Sequence, residues 1–293
     1  MAKTSTIRDI GSAKLDESFS ILDRVKAGLP LDDIFVFDVH AHIGHIAAQH
    51  RPQRDTPSIK RALNRAGINR CCISSILSLY GGDISEGNCR TSETVAAYPD
   101  LFMGYVVLDP RDLRGVESEF KTWFHEKNEL MSGFKLYPPI HKYPLNHENY
   151  CHIYSLANKL KLPMLIHTWE DDHDGRWANP ALLYKIVADY PNAKFILGHS
   201  GGTLSGFRAA IEVAKDQPNV YLELCASRAS LGQIEFFVDK VGSEQILFGS
   251  DIQFFDVFSQ LSKVAYARIS DEQKLNILGL NAARIFGLNP SSD

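Results

Sequence analysis

The strongest constraint on this chain is a rhythm of eight short apolar runs, each followed by a stretch with helical spacing. The runs are Ile34–Ile43, Arg70–Leu77, Phe102–Leu108, Gly133–Tyr137, Pro163–His167, Lys194–Leu197, Val220–Leu224 and Gln245–Phe248. Most are continuously apolar rather than alternating, which is the pattern of strands covered on both faces. The segments between them carry helix-end signals. Ser58 reads as the cap of a helix over Ile59–Ala66, and Gly67 ends it. Eight βα units in about 255 residues is the size of a (β/α)8 TIM barrel. A doubly wound open sheet is the alternative, but it seldom runs so regularly to eight. Residues 1–30 read as an N-terminal helical extension, with Phe19, Leu22 and Val25 on one side of a helix over Leu15–Ala27 that Gly28 and Pro30 end. Residues 31–293 read as the barrel. No repeat, low-complexity tract or linker divides them.

Composition removes several function classes. The 293 residues are 44% hydrophobic with a net charge of −4, an ordinary globular composition without the basic surface of a nucleic-acid binder. Cys71, Cys72, Cys89, Cys151 and Cys225 are odd in number and lack C-x-x-C spacing, so they imply neither a disulfide framework nor a thiolate zinc site. No apolar stretch approaches the ~20 residues of a membrane span, and Met1–Lys14 lacks the apolar core of a secretion signal. The expectation is a cytoplasmic protein in a reducing compartment with a small-molecule substrate and neither nucleic-acid nor membrane partners. A homodimer fits this reading.

In a barrel of this kind the reacting groups sit at the C-terminal ends of the strands. There the first strand carries Asp38-Val39-His40-Ala41-His42, and alternation puts His40 and His42 on one face, about 7 Å apart along the backbone. The fourth strand holds Lys135, the fifth ends in His167, the sixth in His199, and the eighth is followed by Asp251. Four of the 11 histidines and one aspartate thus fall at one level, a coincidence that favours a metal site over scattered packing residues. Arg228 follows the seventh strand near the barrel mouth, where a guanidinium can hold a carboxylate with two hydrogen bonds. A surface arginine paired with a nearby acid is the competing reading. Trp169, Glu170 and His173 lie in the loop after the fifth strand, where a solvated acidic loop is the plainer reading. Tyr137 and His141 follow the fourth strand and are placed to wall a pocket. Glu223, within the seventh strand, either reaches the site or pairs with a lysine. Ser200, in Gly198-His199-Ser200-Gly201-Gly202, carries little weight as a nucleophile because no catalytic triad is apparent. No phosphate-binding or dinucleotide-binding loop is present.

The motifs D-x-H-x-H at Asp38–His42, L-I-H-T at Leu165–Thr168, L-G-H-S-G-G at Leu197–Gly202 and F-G-S-D at Phe248–Asp251 resemble the amidohydrolase superfamily. They are most similar to its amidohydrolase-2 group, the relatives of aminocarboxymuconate-semialdehyde decarboxylase. The resemblance runs from about Asp38 to Phe286. It implies a TIM barrel with one divalent metal held by His40, His42, His167 and Asp251. Three neutral imidazoles and a carboxylate suit Zn²⁺, with Mn²⁺ as the alternative. It also implies that Asp251 moves a proton and that His199 assists beside the metal. A binuclear variant would recruit His199 and a carboxylated Lys135, but one ion is preferred. The expected activity is hydrolysis of an amide, ester or lactone by metal-activated water. The rival within the family is non-oxidative decarboxylation of an aromatic or unsaturated acid. A non-catalytic metal-binding barrel ranks third, because a purely structural site has no need of His199.

Overall fold

In the computed structural model the described residues are 20–45, 55–80, 82–126, 130–171, 173–225 and 231–290. Eight parallel strands lie in sequence order: β1 Phe37–Ile43, β2 Arg70–Ser75, β3 Phe102–Val107, β4 Met131–Leu136, β5 Pro163–Trp169, β6 Lys194–Gly201, β7 Val220–Glu223 and β8 Ile246–Leu247. Backbone hydrogen bonds close the ring. Val39 N donates to Phe248 O, Asp251 N to His40 O and His42 N to Ile252 O, at 3.1, 2.6 and 2.7 Å. β8 itself is short, and the residues just after it carry the pairing on to β1. The result is the (β/α)8 barrel that the strand rhythm predicts.

Two apolar layers hold it. Phe35, Phe37, Val39, Cys72, Tyr105, Leu165, Ile196, Tyr221 and Leu247 pack together in a cluster that the C-terminal helix Asn281–Phe286 joins through Ala282, Ala283 and Ile285. Val36, Ile73, Val106, Phe134, Ile166, Leu197 and Leu222 face the other way, against the surrounding helices. Side chains of alternating parity therefore serve the two layers, as the period of a strand requires. On β1 the parity changes, because the pairing with β2 shifts between Asp38 and Ala41. A bulge of this kind re-aims the residues beyond it. Below it, odd-numbered Phe35, Phe37 and Val39 pack in the first cluster. Above it, Ala41 and Ile43 turn to the helix layer, while His40 and His42 line the cavity at the barrel mouth.

Several boundaries differ from the sequence expectation. Ile34, Phe35 and Val36 precede β1 rather than belonging to it. The helix Thr56–Ala66 is capped by Asp55, not Ser58, while Gly67 ends it with a φ of 81° as expected. The stretch between β5 and β6, one of those with helical spacing, forms two 3-10 turns over Pro180–Leu183 and Val187–Asp189 rather than a single α-helix. Over so few residues an apolar period of 3.0 is hard to tell from 3.6. Of the N-terminal extension, Ile21–Lys26 is helical and packs against the helix Val257–Tyr266. The rest of the expected Leu15–Ala27 helix lies outside the described residues, apart from Ser20 and Ala27 at its ends. No helix among the described residues is long and apolar enough to cross a membrane.

Candidate active site

At the C-terminal mouth of the barrel His40, His42, Lys135, His167, His199 and Asp251 line one cavity of about 150 Å³. Its walls are Leu79, Tyr80, Tyr137, Trp169, Phe254 and Phe255. The floor is polar and the walls are mostly aromatic.

The hydrogen-bond network assigns the tautomers of His199, His167 and His40. His199 Nδ1 lies 2.9 Å from the Cys225 carbonyl, which can only accept, so Nδ1 carries the proton. Burial pushes the His199 ring down to about 4, so it is neutral and its Nε2 is bare. That bare nitrogen lies 3.1 Å from His167 Nδ1 and accepts its proton. His167 Nε2 is then bare as well, and it is buried without a hydrogen-bond partner. His40 Nδ1 donates to Glu223 Oε2 at 3.0 Å, leaving its Nε2 bare, and Lys135 Nζ donates to that Nε2 at 2.8 Å. His42 Nδ1 lies 3.0 Å from Ser74 Oγ. Each of the three rings thus has Nδ1 held by an outer partner, and Nε2 faces away from it. Metal-binding histidines are held in this way. Burial, the largest cause, lowers the pKa of His40, His42 and His167, which keeps them in the neutral form that a metal requires.

Asp251 completes the set. Its Oδ1 is 3.2 Å from His42 Nε2 and 3.8 Å from His40 Nε2, yet it is buried without a hydrogen bond to either. Two donors on one tetrahedral ion with bonds of about 2.1 Å are about 3.4 Å apart. The spacing and the orphaned atoms therefore fit one divalent ion, and three imidazole nitrogens with a carboxylate oxygen is a donor set such ions take. Ligand atoms of His40, His199, Cys225 and Asp251 also lie within 4.8 Å of one another. Cys225 Sγ, however, is 3.1 Å from His40 Nδ1 and 3.0 Å from Glu223 Oε2. It therefore sits on the outer side of the His40 ring, and burial holds its thiol well above the usual pKa. The His40, His42, His167 and Asp251 set is the better fit.

Backbone strain gathers here. His199, Ser200 and Asp251 have φ of 62°, 48° and 54°, in the left-handed region that residues with side chains rarely adopt and that concentrates at functional sites. Ser200 Oγ donates to the Glu223 carbonyl at 2.8 Å and is buried, which makes it a structural tie.

The other sequence candidates divide. Tyr137 lines the cavity, with its ring centroid 4.5 Å from that of His167. Trp169 lines it too, lying over Gly202 and donating from Nε1 to Asp171 at 2.7 Å. His173 is 83% exposed, pairs with Asp174 and is absent from the cavity wall. Glu170 accepts from Thr203 at the start of the helix Leu204–Ala214. His141 is buried against Tyr150 Oη at 2.7 Å, away from the wall. Arg228 lies outside the described residues.

Residues the sequence reading missed are mostly partners of the motif residues. Asp38 does not join the histidines. Its Oδ1 accepts from His40 N and Ser250 N at 3.0 and 2.9 Å, which ties the first motif to the last. Burial pushes its carboxyl up to about 7. Leu79, Tyr80, Phe254 and Phe255 also went unmarked, although all four lie shortly after β2 or β8, where barrel cavities are walled.

Fold and site together define a barrel enzyme with a candidate divalent-metal centre at its catalytic face. The sequence profile of the Amidohydrolase family matches residues 81–288, and the chain belongs to that family, a class of metal-dependent enzymes. No curated protein matches its sequence. Solved structures do resemble it. The 2,6-dihydroxybenzoate decarboxylase from Rhizobium is 14% identical with a TM-score of 0.69, covering 87% of this chain and 99% of that one. A dihydroxybenzoic acid decarboxylase from Polaromonas sp. JS666, with bound manganese and the inhibitor 2-nitroresorcinol, is 16% identical with a TM-score of 0.66, covering 87% and 97%. A 5-carboxyvanillate decarboxylase from Novosphingobium aromaticivorans, complexed with manganese and a nitrobenzoic acid, is 14% identical with a TM-score of 0.66, covering 88% and 97%. At these identities the likeness shows the fold.

Proposed function

We propose that this protein is a metal-dependent decarboxylase that releases CO₂ without oxidation from a small aromatic or unsaturated acid. His40, His42, His167 and Asp251 would hold one divalent ion. The observation that carries this reading is the shape of the site, a narrow cavity of about 150 Å³ with aromatic walls over a polar floor. A space of roughly 150 Å³ holds one benzene-sized ring. The decarboxylases of similar fold support the reading. Zinc suits the donor set, and the manganese in two of those structures makes manganese the ion to test beside it.

When bound, the ion would act as a Lewis acid toward substrate oxygens. The chain supplies the rest. Tyr137, Trp169 and Phe254 confine a flat ring and exclude water. The Lys135 ammonium, which burial brings down to about 8 while Asp251 pulls it back up, stays charged at neutral pH and holds an anionic oxygen. Asp251 takes a proton from a water in the cavity and delivers it to the carbon that bears the carboxylate. The bond from that carbon to the carboxylate then breaks, its electron pair returns to the conjugated system, and CO₂ leaves. His199 keeps the His167 ring in its working tautomer.

Hydrolysis of an amide, ester or lactone is the second reading. The unpartnered Asp251 Oδ1 favours it, since that atom can take a proton from an attacking water. The test is a panel of hydroxybenzoates and unsaturated acids, assayed for CO₂ with the protein loaded with manganese or zinc, run beside esters, lactones and amides. CO₂ release from at least one acid is expected. Hydrolysis without any CO₂ release would overturn the decarboxylase reading in favour of the second.

A further inference from the structure

The seventh strand contributes a buried carboxylate with no place in the chemistry above. Glu223 is fully buried at the end of β7. Its Oε2 accepts from His40 Nδ1 at 3.0 Å, from the His199 backbone N–H at 3.0 Å and from Cys225 Sγ at 3.0 Å, while Oε1 accepts from Cys225 N at 2.6 Å. One side chain thus joins β1, β6 and the end of β7 around a single point. The segment just after the eighth strand makes room for it. A Cβ on Gly249 would lie 2.2 Å from Glu223 Oε1 and 2.8 Å from His40 Cβ. No side chain fits there while the carboxylate keeps its place.

We propose that Glu223 is the positioning residue of the metal centre and that Gly249 is the gap that admits it. The carboxylate holds His40 with the proton on Nδ1, so that the Nε2 lone pair faces the cavity. Through the His199 backbone it also fixes the strained turn that orients the His199 ring, and through that ring the tautomer of His167. One carboxylate therefore sets two of the three imidazoles. The inference rests on the metal centre proposed above but not on which reaction it serves.

The test titrates metal-stripped full-length protein with manganese and with zinc. Glu223→Gln keeps the volume but puts an amide N–H₂ where a donor already points. Gly249→Ala keeps the carboxylate but pushes it out of position. Both are expected to weaken metal binding by about ten- to a hundredfold, the usual effect of losing a partner behind a ligating histidine. Long-range ¹H–¹⁵N correlation of the metal-free wild type is expected to show His40 protonated at Nδ1, a signature that a merely structural carboxylate would not fix. The inference is overturned if wild type binds metal and both folded variants bind it within threefold of wild type. It is equally overturned if His40 carries its proton on Nε2, a reading that needs no variant to fold. Absence of metal binding by wild type would instead remove the proposed metal centre, while the tautomer measurement still decides the role of Glu223.

Discussion

Replacing Gly202 by alanine should move a wall of the active site. The Trp169 ring lies on this glycine, and an added Cβ would meet Cε3, Cδ2 and Cζ3 at 2.3, 2.4 and 2.6 Å. Carbon atoms settle at about 3.5–4.0 Å, so the indole must retreat by about 1 Å or more. Retreat strains the 2.7 Å bond from Nε1 to Asp171 and carries the ring against the cavity it lines. The overpacking costs about 1–3 kcal/mol. Gly202 also has a φ of 69°, and an alanine there adds about 1–2 kcal/mol of backbone strain. The total loss is about 2–5 kcal/mol. Trp169→Ala in the same chain removes the clash but not the backbone strain. The two substitutions should therefore couple by about 1–3 kcal/mol in a double-mutant cycle measured by urea unfolding. Additivity within about 0.5 kcal/mol would refute this packing argument.

Two further outcomes test groups on either side of the site. Lys135→Met should leave metal content unchanged and raise KM for carboxylate-bearing substrates about 10- to 100-fold, the loss of one hydrogen bond to a charged group. Steady-state kinetics with parallel metal analysis checks this, and an unchanged KM would remove Lys135 from substrate binding. Burial lowers the pKa of His141 from 6.5 to about 4, with Asp109 acting in the opposite sense. The unfolded chain therefore takes up a proton near pH 6.5 that the folded chain refuses, so stability falls as the pH drops from 6.5 toward 4. His141→Asn should flatten that part of the pH dependence in urea titrations at pH 7.5 and 5.0, and an unchanged slope would assign it to other groups.

Much of this was readable in advance because barrel chemistry concentrates at strand ends. The apolar runs located the strands, and the C-terminal ends of the runs, with the few residues after them, located His40, His42, Lys135, His167, His199 and Asp251. What stayed hidden depends on distant partners. Asp38 and Ser250 are 212 positions apart, and His40 and Glu223 are 183 apart. No local period or spacing links such pairs. Trp169 and His173 looked equivalent in one polar loop. Gly202 provides a seat for the Trp169 ring, whereas the His173 side chain is exposed and pairs with Asp174. The bulge in β1 was equally silent, since a change of parity arises from how the strand pairs with β2 rather than from its own residues.

The most direct measurement is the metal content per chain, by elemental analysis of the wild type and of His40→Ala, His42→Ala, His167→Ala and Asp251→Ala, each checked for folding by circular dichroism. One divalent ion per wild-type chain, lost or much reduced in all four folded variants, is the predicted result. A wild-type chain that takes up no ion under manganese or zinc loading, or folded variants that retain the ion at full stoichiometry, would contradict the shared metal centre.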